Sequence, residues 1–302
     1  MKGAPIDLSR LPAPEIVETL SFESILAQRK ARLISLYPAE QRAKVAMALE
    51  LESEPMHVLL QENAYREVSL RQRVNDAARA LLLAYARGGD LEHLAALMGV
   101  ERQVIIPAQP DKGLDTVREP DEALRERTQL APQGFSVAGP EAAYRKHARD
   151  ADGRVLDASV ISPAPCEVQV TILSREPGGK ASDNLIQIVA TKLQSGEIRP
   201  LTDKVSVRSA QIIDYAIRAA LHCFPGPDAR VVLQHAQKRL ARYIATTHRL
   251  GRAITLSGIY AALHVDGVAR VALAEPTADI DVPTTHAARC THTDVTLGDI
   301  RA

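Results

Sequence analysis

Three places in this sequence bring chemistry-bearing residues close together. The segment PGGKAS, from Pro177, sets two glycines beside a lysine, as phosphate-cradling loops do. Such a loop also needs a glycine five residues before Gly179 and a Ser or Thr after Lys180, so that backbone N–H groups ring the phosphate and a hydroxyl meets the metal ion. Here those positions hold Ser174 and Ala181. The segment reads instead as a flexible connection into a helix capped by Ser182 or Asp183. His286, Cys290 and His292 are residue types that zinc takes, but a fourth partner at usual spacing is missing, and no Cys-x-x-Cys pair exists. The plainer reading is a polar C-terminal segment that forms an edge strand or contacts a neighbour. His222 and Cys223 are adjacent within a strand pattern, so their side chains point to opposite faces, which separates a nucleophile from its base. Cys223 then reads as a small core residue. His147, His235 and His264 fall on predicted helices as solvated or core-edge residues. Gly-x-Ser-x-Gly and His-Glu-x-x-His are absent. The sequence therefore assigns no catalytic residue, no cofactor-binding residue, no cofactor and no metal ligand.

Composition narrows the classes further. A chain of 302 residues suggests two or three domains. Lys+Arg and Asp+Glu both number 37, which argues against a nucleic-acid binder working through a global basic field. Aromatics are 3% and tryptophan is absent, thin for stacking on bases or sugars. Cys166, Cys223 and Cys290 are distant and odd in number, so a reducing compartment is expected rather than a disulfide framework. The N-terminal stretch MKGAPIDLSRLPAPE has no apolar core of signal-peptide length. The richest apolar run, Ala80 to Ala86, is short and flanked by Arg79 and Arg87, so no membrane span is expected. Assembly in a cytoplasm follows as the expectation.

The elements divide the chain into four stretches. Residues 1–100 read as helical after an extended, proline-punctuated start at 1–14. Phe22, Ile25, Leu26, Leu33 and Leu36 mark one helix before Pro38, and a second is expected over 41–51. The dominant feature is a long helix from Ser53, its expected N-cap, through Pro55 to a stop at Gly88 and Gly89. At roughly 30 residues it would be about 45 Å long, more than one compact core needs. Asp90 is expected to cap a short helix carrying Leu91, Leu94 and Met98. On the long helix Arg66, Arg71, Arg73 and Arg79 alternate with Glu62, Glu67 and Asp76, as on a solvated face or a helix–helix seam. Leu59, Leu60, Val68, Val74 and Leu81 are the candidate inter-chain contacts; the alternative is packing on the helices at 22–36 and 41–51. Both hold together if the apolar arc is wide.

Residues 101–136 read as a loop-rich connector with a short helix at 122–129. From 137 the pattern is mixed α and β, giving an α+β fold with subdomains at 137–210 and 211–302. Odd positions from Val205 to Cys223 are apolar enough for one long strand or two in line. EAAYRKHARDADGRVLDASV, from Glu141, echoes SGIYAALHVDGVARVALAEP, from Ser257. Each runs helix, Asp-Gly turn, strand. Chance similarity and an internal repeat both remain open at this point.

Three stretches carry a family resemblance. ESEPMHVLLQENAYREVSLRQRVNDAARALLLAYARGGDLEHLAALMGVER resembles the N-terminal region of the baseplate J proteins of contractile-tailed phages. QLAPQGFSVAGPEAAYRKHARDADGRVLDASVISPAP resembles their central region, and RLGRAITLSGIYAALHVDGVARVAL their C-terminal one. The resemblance implies a non-enzymatic structural protein of the virion's tail baseplate. It implies two copies in each of six wedges, N-terminal helices bundled with a baseplate I-type protein, and C-terminal parts linking wedges into a ring. It further implies a W-type protein tying that ring to hub and sheath, with no membrane and no specific nucleic acid bound. Phage and bacteriocin-like contractile tails both fit. The competing classes are a cytoplasmic enzyme with a pocket in the C-terminal α+β units, marked by turnover, and a DNA-binding assembly factor, marked by salt-sensitive DNA retention.

Overall fold

The computed structural model describes residues 8, 11, 12, 14, 16–136, 139–226 and 228–298. The extended run expected at 1–14 lies largely outside them. The chain divides into two units, Met1–Glu101 and Arg102–Ala302.

The first unit is helical. α1 (Phe22–Leu36) starts at Ser21, whose hydroxyl accepts the Ser24 N–H, and ends before Pro38. α2 (Arg42–Leu49) is short. α3 (Pro55–Ala80) is the long helix, capped at Glu54 rather than Ser53, with Pro55 where a missing N–H costs nothing. Its far end corrects the sequence reading. The helix stops at Ala80, so its 26 residues span about 39 Å. Gly88 and Gly89 open α4 (Gly88–Ala96) instead of closing α3. Gly88 has φ +50°, which glycine adopts without a Cβ clash. The physical reason is tertiary: Ala86 is fully buried, and the Leu82 carbonyl accepts both the Tyr85 and Ala86 N–H groups in a tight turn. Local propensity yields to that burial. α1 is fastened along α3. Arg29 contacts Glu67. Buried Asn75 clamps the backbone of Glu18, accepting its N–H at 3.1 Å and donating to its carbonyl at 2.9 Å.

The second unit begins with a two-stranded ribbon, β1 (Val104–Ile106) and β2 (Val117–Arg118), closed over a 3-10 turn at Pro110–Lys112. α5 (Asp121–Leu130) follows. Ionic contacts hold this segment. Buried Arg127 reaches Glu119 at 2.6 Å and Asp150 at 2.7 Å, and Arg102 reaches Asp121 at 2.7 Å. A Cβ at Gly153 would lie 2.4 Å from the Val104 carbonyl oxygen, so only glycine allows the ribbon this close.

Two three-stranded sheets form the rest. In the first, α6 (Glu141–Arg149) leads into β3 (Val155–Ile161), antiparallel to β4 (Glu167–Ser174). α7 (Asp183–Leu193) then crosses over to β5 (Lys204–Ser209), parallel to β4. In the second, the central β6 (Gln211–Cys223) is followed by α8 (Ala229–Thr247) and α9 (Leu256–Leu263). β7 (Val268–Glu275) runs antiparallel to β6, and β8 (His286–Leu297) runs parallel to it on the other side. The period-two run is thus two strands in line, each in its own sheet, divided at buried Ala210. Odd β6 residues, among them Ile217, Leu221 and Cys223, pack against α8 and α9. Val170, Ile172, Leu185 and Val189 form the first core. Leu173, Ala210 and Ala287 join the two.

The echo acquires a structural meaning. α6–β3 and α9–β7 each supply a helix, an Asp-Gly turn and the antiparallel edge strand of their sheet. The central strand follows that unit in the first sheet and precedes it in the second. The sheets share a plan, but the chain threads them in different order.

Candidate subunit interface

α3 supplies the face that the first unit leaves open. Residues at i, i+4, i+7 and i+11 share one side of a helix. Leu70, Val74, Ala77 and Leu81 follow that spacing, and Leu59 stands eleven residues before Leu70 on the same side. Leu59, Leu70, Val74 and Leu81 are 61%, 65%, 57% and 75% exposed. The residues α3 buries, His57, Ala64 and Asn75, lie roughly a third of a turn away. Asn63 and Arg66 interrupt this side between Leu59 and Leu70, but from Leu70 to Leu81 every position of that spacing is apolar, and such a stripe marks an interaction surface more often than a solvated one.

The five sequence candidates divide between two sides. Leu59, Val74 and Leu81 stand on the open stripe, whereas Leu60 and Val68 are half-buried on the flanks of the face that α1 covers. Leu70 belongs to the stripe and is absent from the sequence selection. Its spacing of four before Val74 and eleven before Leu81 is the signal that finds it.

Charge frames the stripe. Glu62 and Arg66 pair at 3.9 Å one turn apart, and Asp76 and Arg79 at 4.0 Å. Arg71 bridges Glu67 at 2.7 Å and Glu18 at 3.0 Å. The Arg29 guanidinium, assisted by Arg71, holds the Glu67 carboxyl below the usual carboxylate range. These exposed pairs fix orientation more than they add stability.

The PGGKAS, His222–Cys223 and His286–Cys290–His292 groups do not converge on one site. PGGKAS links β4 to α7, with Gly178 and Gly179 in left-handed backbone, and the Ser182 hydroxyl turns to Glu176 at 3.0 Å instead of capping α7. His222 and Cys223 alternate across β6, with Cys223 buried. His286, Cys290 and His292 lie along the outer strand β8, where the Cys290 Sγ meets the His292 carbonyl at 3.3 Å. Among the described residues no group of three His, Cys, Asp or Glu is placed to hold a metal ion. No described helix is long and apolar enough to cross a membrane.

Comparison with known families gives the open stripe its setting. The Baseplate J-like N-terminal domain matches residues 52–109, the Baseplate J-like central domain 136–209, and the Baseplate J-like protein C-terminal domain 215–298. The chain belongs to the baseplate J family. This baseplate J chain is also 52% identical over 295 residues to Baseplate protein J of Escherichia phage P2, covering 97% of this chain and 98% of that protein. It is a structural protein of the tail baseplate. A solved baseplate of the anti-feeding prophage contains a chain of 15% identity and TM-score 0.38, covering 59% of this chain and 44% of that one, a likeness too loose to carry an argument. The first matched region opens at Glu52, just before α3, and so contains the stripe but neither α1 nor α2. The second and third matched regions take in the two sheets in turn.

Proposed function

We propose that this baseplate J protein is a wedge subunit, present as two copies in each of six wedges. It joins wedges into a ring and rearranges when the sheath contracts. The α3 stripe carries the reading: Leu59, Leu70, Val74 and Leu81 find cover only when other chains close over them. Leu60 and Val68 support the same helix from its α1 side. The partners are a second copy of this chain and the baseplate I-type protein, with the W-type protein linking the ring to hub and sheath. The location is the virion's tail, after assembly in the host cytoplasm. The role asks for no turnover, and no residue is given a catalytic part.

The hinge for this rearrangement is proposed within the loop-rich connector, 101–136. The contacts of Arg127 and Arg102 favour a position at the unit boundary, beside Glu101, because they bind 102–130 to α6. Any such change needs contacts that differ between the two states. Co-expression with the neighbouring tail proteins, followed by size-exclusion and imaging, tests the assignment. A hetero-complex that contains two copies of this chain is expected. A chain that stays solitary beside all its tail neighbours refutes it.

A further inference from the structure

α8 carries an exposed surface of another kind. Val231, His235, Lys238 and Arg242 follow at i, i+4, i+7 and i+11, on the side away from buried Val232, Ala236 and Leu240. Between residues 229 and 274 stand seven Lys or Arg and a single acid, Asp266. Arg239 donates to the Ala261 carbonyl at 3.0 Å, and Arg249 faces Glu126 at 3.6 Å. Lys238 and Arg242 have no carboxylate partner among the described residues.

Beside this stripe, between α8 and the outer edge of β8, runs a half-open groove of about 420 Å³. Its floor is Ala241, Ile244 and Ala245, and its far wall is Cys290, Thr291, His292 and Thr293 of β8. His248 is fixed there by its Nδ1 contact with the Ala288 oxygen at 2.7 Å. Arg289 also lines it, but Asp214 takes that guanidinium in two bonds of 2.7 and 2.8 Å. The uncommitted charge therefore comes from Lys238 and Arg242, each within one helical turn of Ala241. Among the described residues no carboxylate lines the groove.

We infer that this groove receives an apolar side chain from an acidic segment of a partner protein, whose flanking carboxylates meet Lys238 and Arg242. Charge complementarity selects the occupant: an apolar floor beside Lys238 and Arg242, with no carboxylate in the lining, favours an acidic segment over a basic one. A nucleic acid fits less well, because no Phe, Tyr or Trp lines the groove as a broad platform for a base. The site is separate from the α3 stripe and goes beyond the role proposed for it.

Fluorescence polarisation on the full chain tests the inference with three labelled probes. They are a peptide with leucine flanked by glutamates, its counterpart with lysines, and a single-stranded oligonucleotide of matching negative charge. The glutamate peptide is expected to bind and the lysine peptide not. Lys238→Glu with Arg242→Glu is expected to weaken binding about tenfold or more, with circular dichroism unchanged. Ala241→Phe, which fills the floor, is expected to weaken it without any change of charge. No binding of the glutamate peptide, equal binding to the charge-reversed chain, or tighter binding of the oligonucleotide each overturns the inference. Leu70→Asp and Val74→Asp leave this signal untouched, so failure of the α3 reading and failure of this one are seen separately.

Discussion

Asp157 and Leu250 stand 93 positions apart in sequence, and the Asp157 Oδ2 accepts the Leu250 N–H at 3.1 Å. Asp157 belongs to β3 of the first sheet, and Leu250 follows α8 of the second. The other carboxylate oxygen takes Arg145 Nη2 at 3.0 Å and the Ala158 N–H at 2.9 Å. Close by, the Ser159 hydroxyl donates to the Thr284 carbonyl at 2.6 Å. A carboxylate only 2% exposed is thus satisfied by both sheets at once, and Leu173, Ala210 and Ala287 pack beside it. Within the unit 102–302 the two sheets are thus tied directly to each other.

Removing that carboxylate tests the tie directly. Asp157→Ala is expected to cost roughly 2–4 kcal/mol, because it strands the Leu250 N–H and leaves Arg145, whose Nε is already buried without a partner, short of its anion. Asp157→Asn keeps one acceptor and is expected to cost less. Urea denaturation of the full chain measures both. A loss under about 0.5 kcal/mol for the alanine variant contradicts the account.

Arg127 makes the matching test for the connector. It is buried between Glu119, itself 3% exposed, and Asp150. Arg127→Ala strips buried Glu119 of its cation and leaves Asp150 with Lys146 alone, an expected loss of about 3–5 kcal/mol. Limited proteolysis of the folded variant is expected to open the chain between β1 and α5 before any other site. Cleavage at the same rate and place as in the unaltered chain contradicts the assigned role.

The sequence disclosed local elements better than their company. α1 follows from its apolar spacing and Pro38. The end of α3 does not, because Leu81 and Leu82 are strong helix formers and only the burial of Ala86 turns the chain there. Nor does the connector's order, since Arg127, Glu119 and Asp150 meet through tertiary folding and look like ordinary surface charge in a linear reading. At the interface, Leu60 and Leu59 are neighbours in sequence and sit 100° apart on the helix, so an apolar list without an angle mixes the covered side with the open one.

The open stripe separates folding from assembly. Leu70→Asp and Val74→Asp alter exposed positions, so the isolated chain is expected to lose no more than about 0.5 kcal/mol of stability. Wedge assembly is expected to fail, because each aspartate places a charge in a seam that becomes dry. Leu60→Asp differs: half-buried Leu60 is expected to lower the isolated chain's stability as well. Normal yield and shape of particles carrying both stripe substitutions speaks against the seam.

His147 on α6 gives the fold a pH dependence with a defined sign. Burial lowers the pKa of its imidazole below the ordinary 6.5, Lys146 and Lys192 push the same way, and Asp150 and the Gly134 backbone oppose them. Unfolding releases the ring into water, where it takes up a proton that the folded site resists. The unfolded chain therefore binds more protons across this window, so stability rises with pH. It is complete above about 6.5 and is lost as the pH falls toward the folded value. Burial lowers Lys192 as well, from an ordinary value of 10.5. His147→Gln removes the proton uptake and keeps a polar group of similar reach. Its stability is expected to change less than that of the unaltered chain between about pH 7 and pH 5. Urea midpoints at a series of pH values measure the difference, and two parallel curves through that range assign the dependence to other groups.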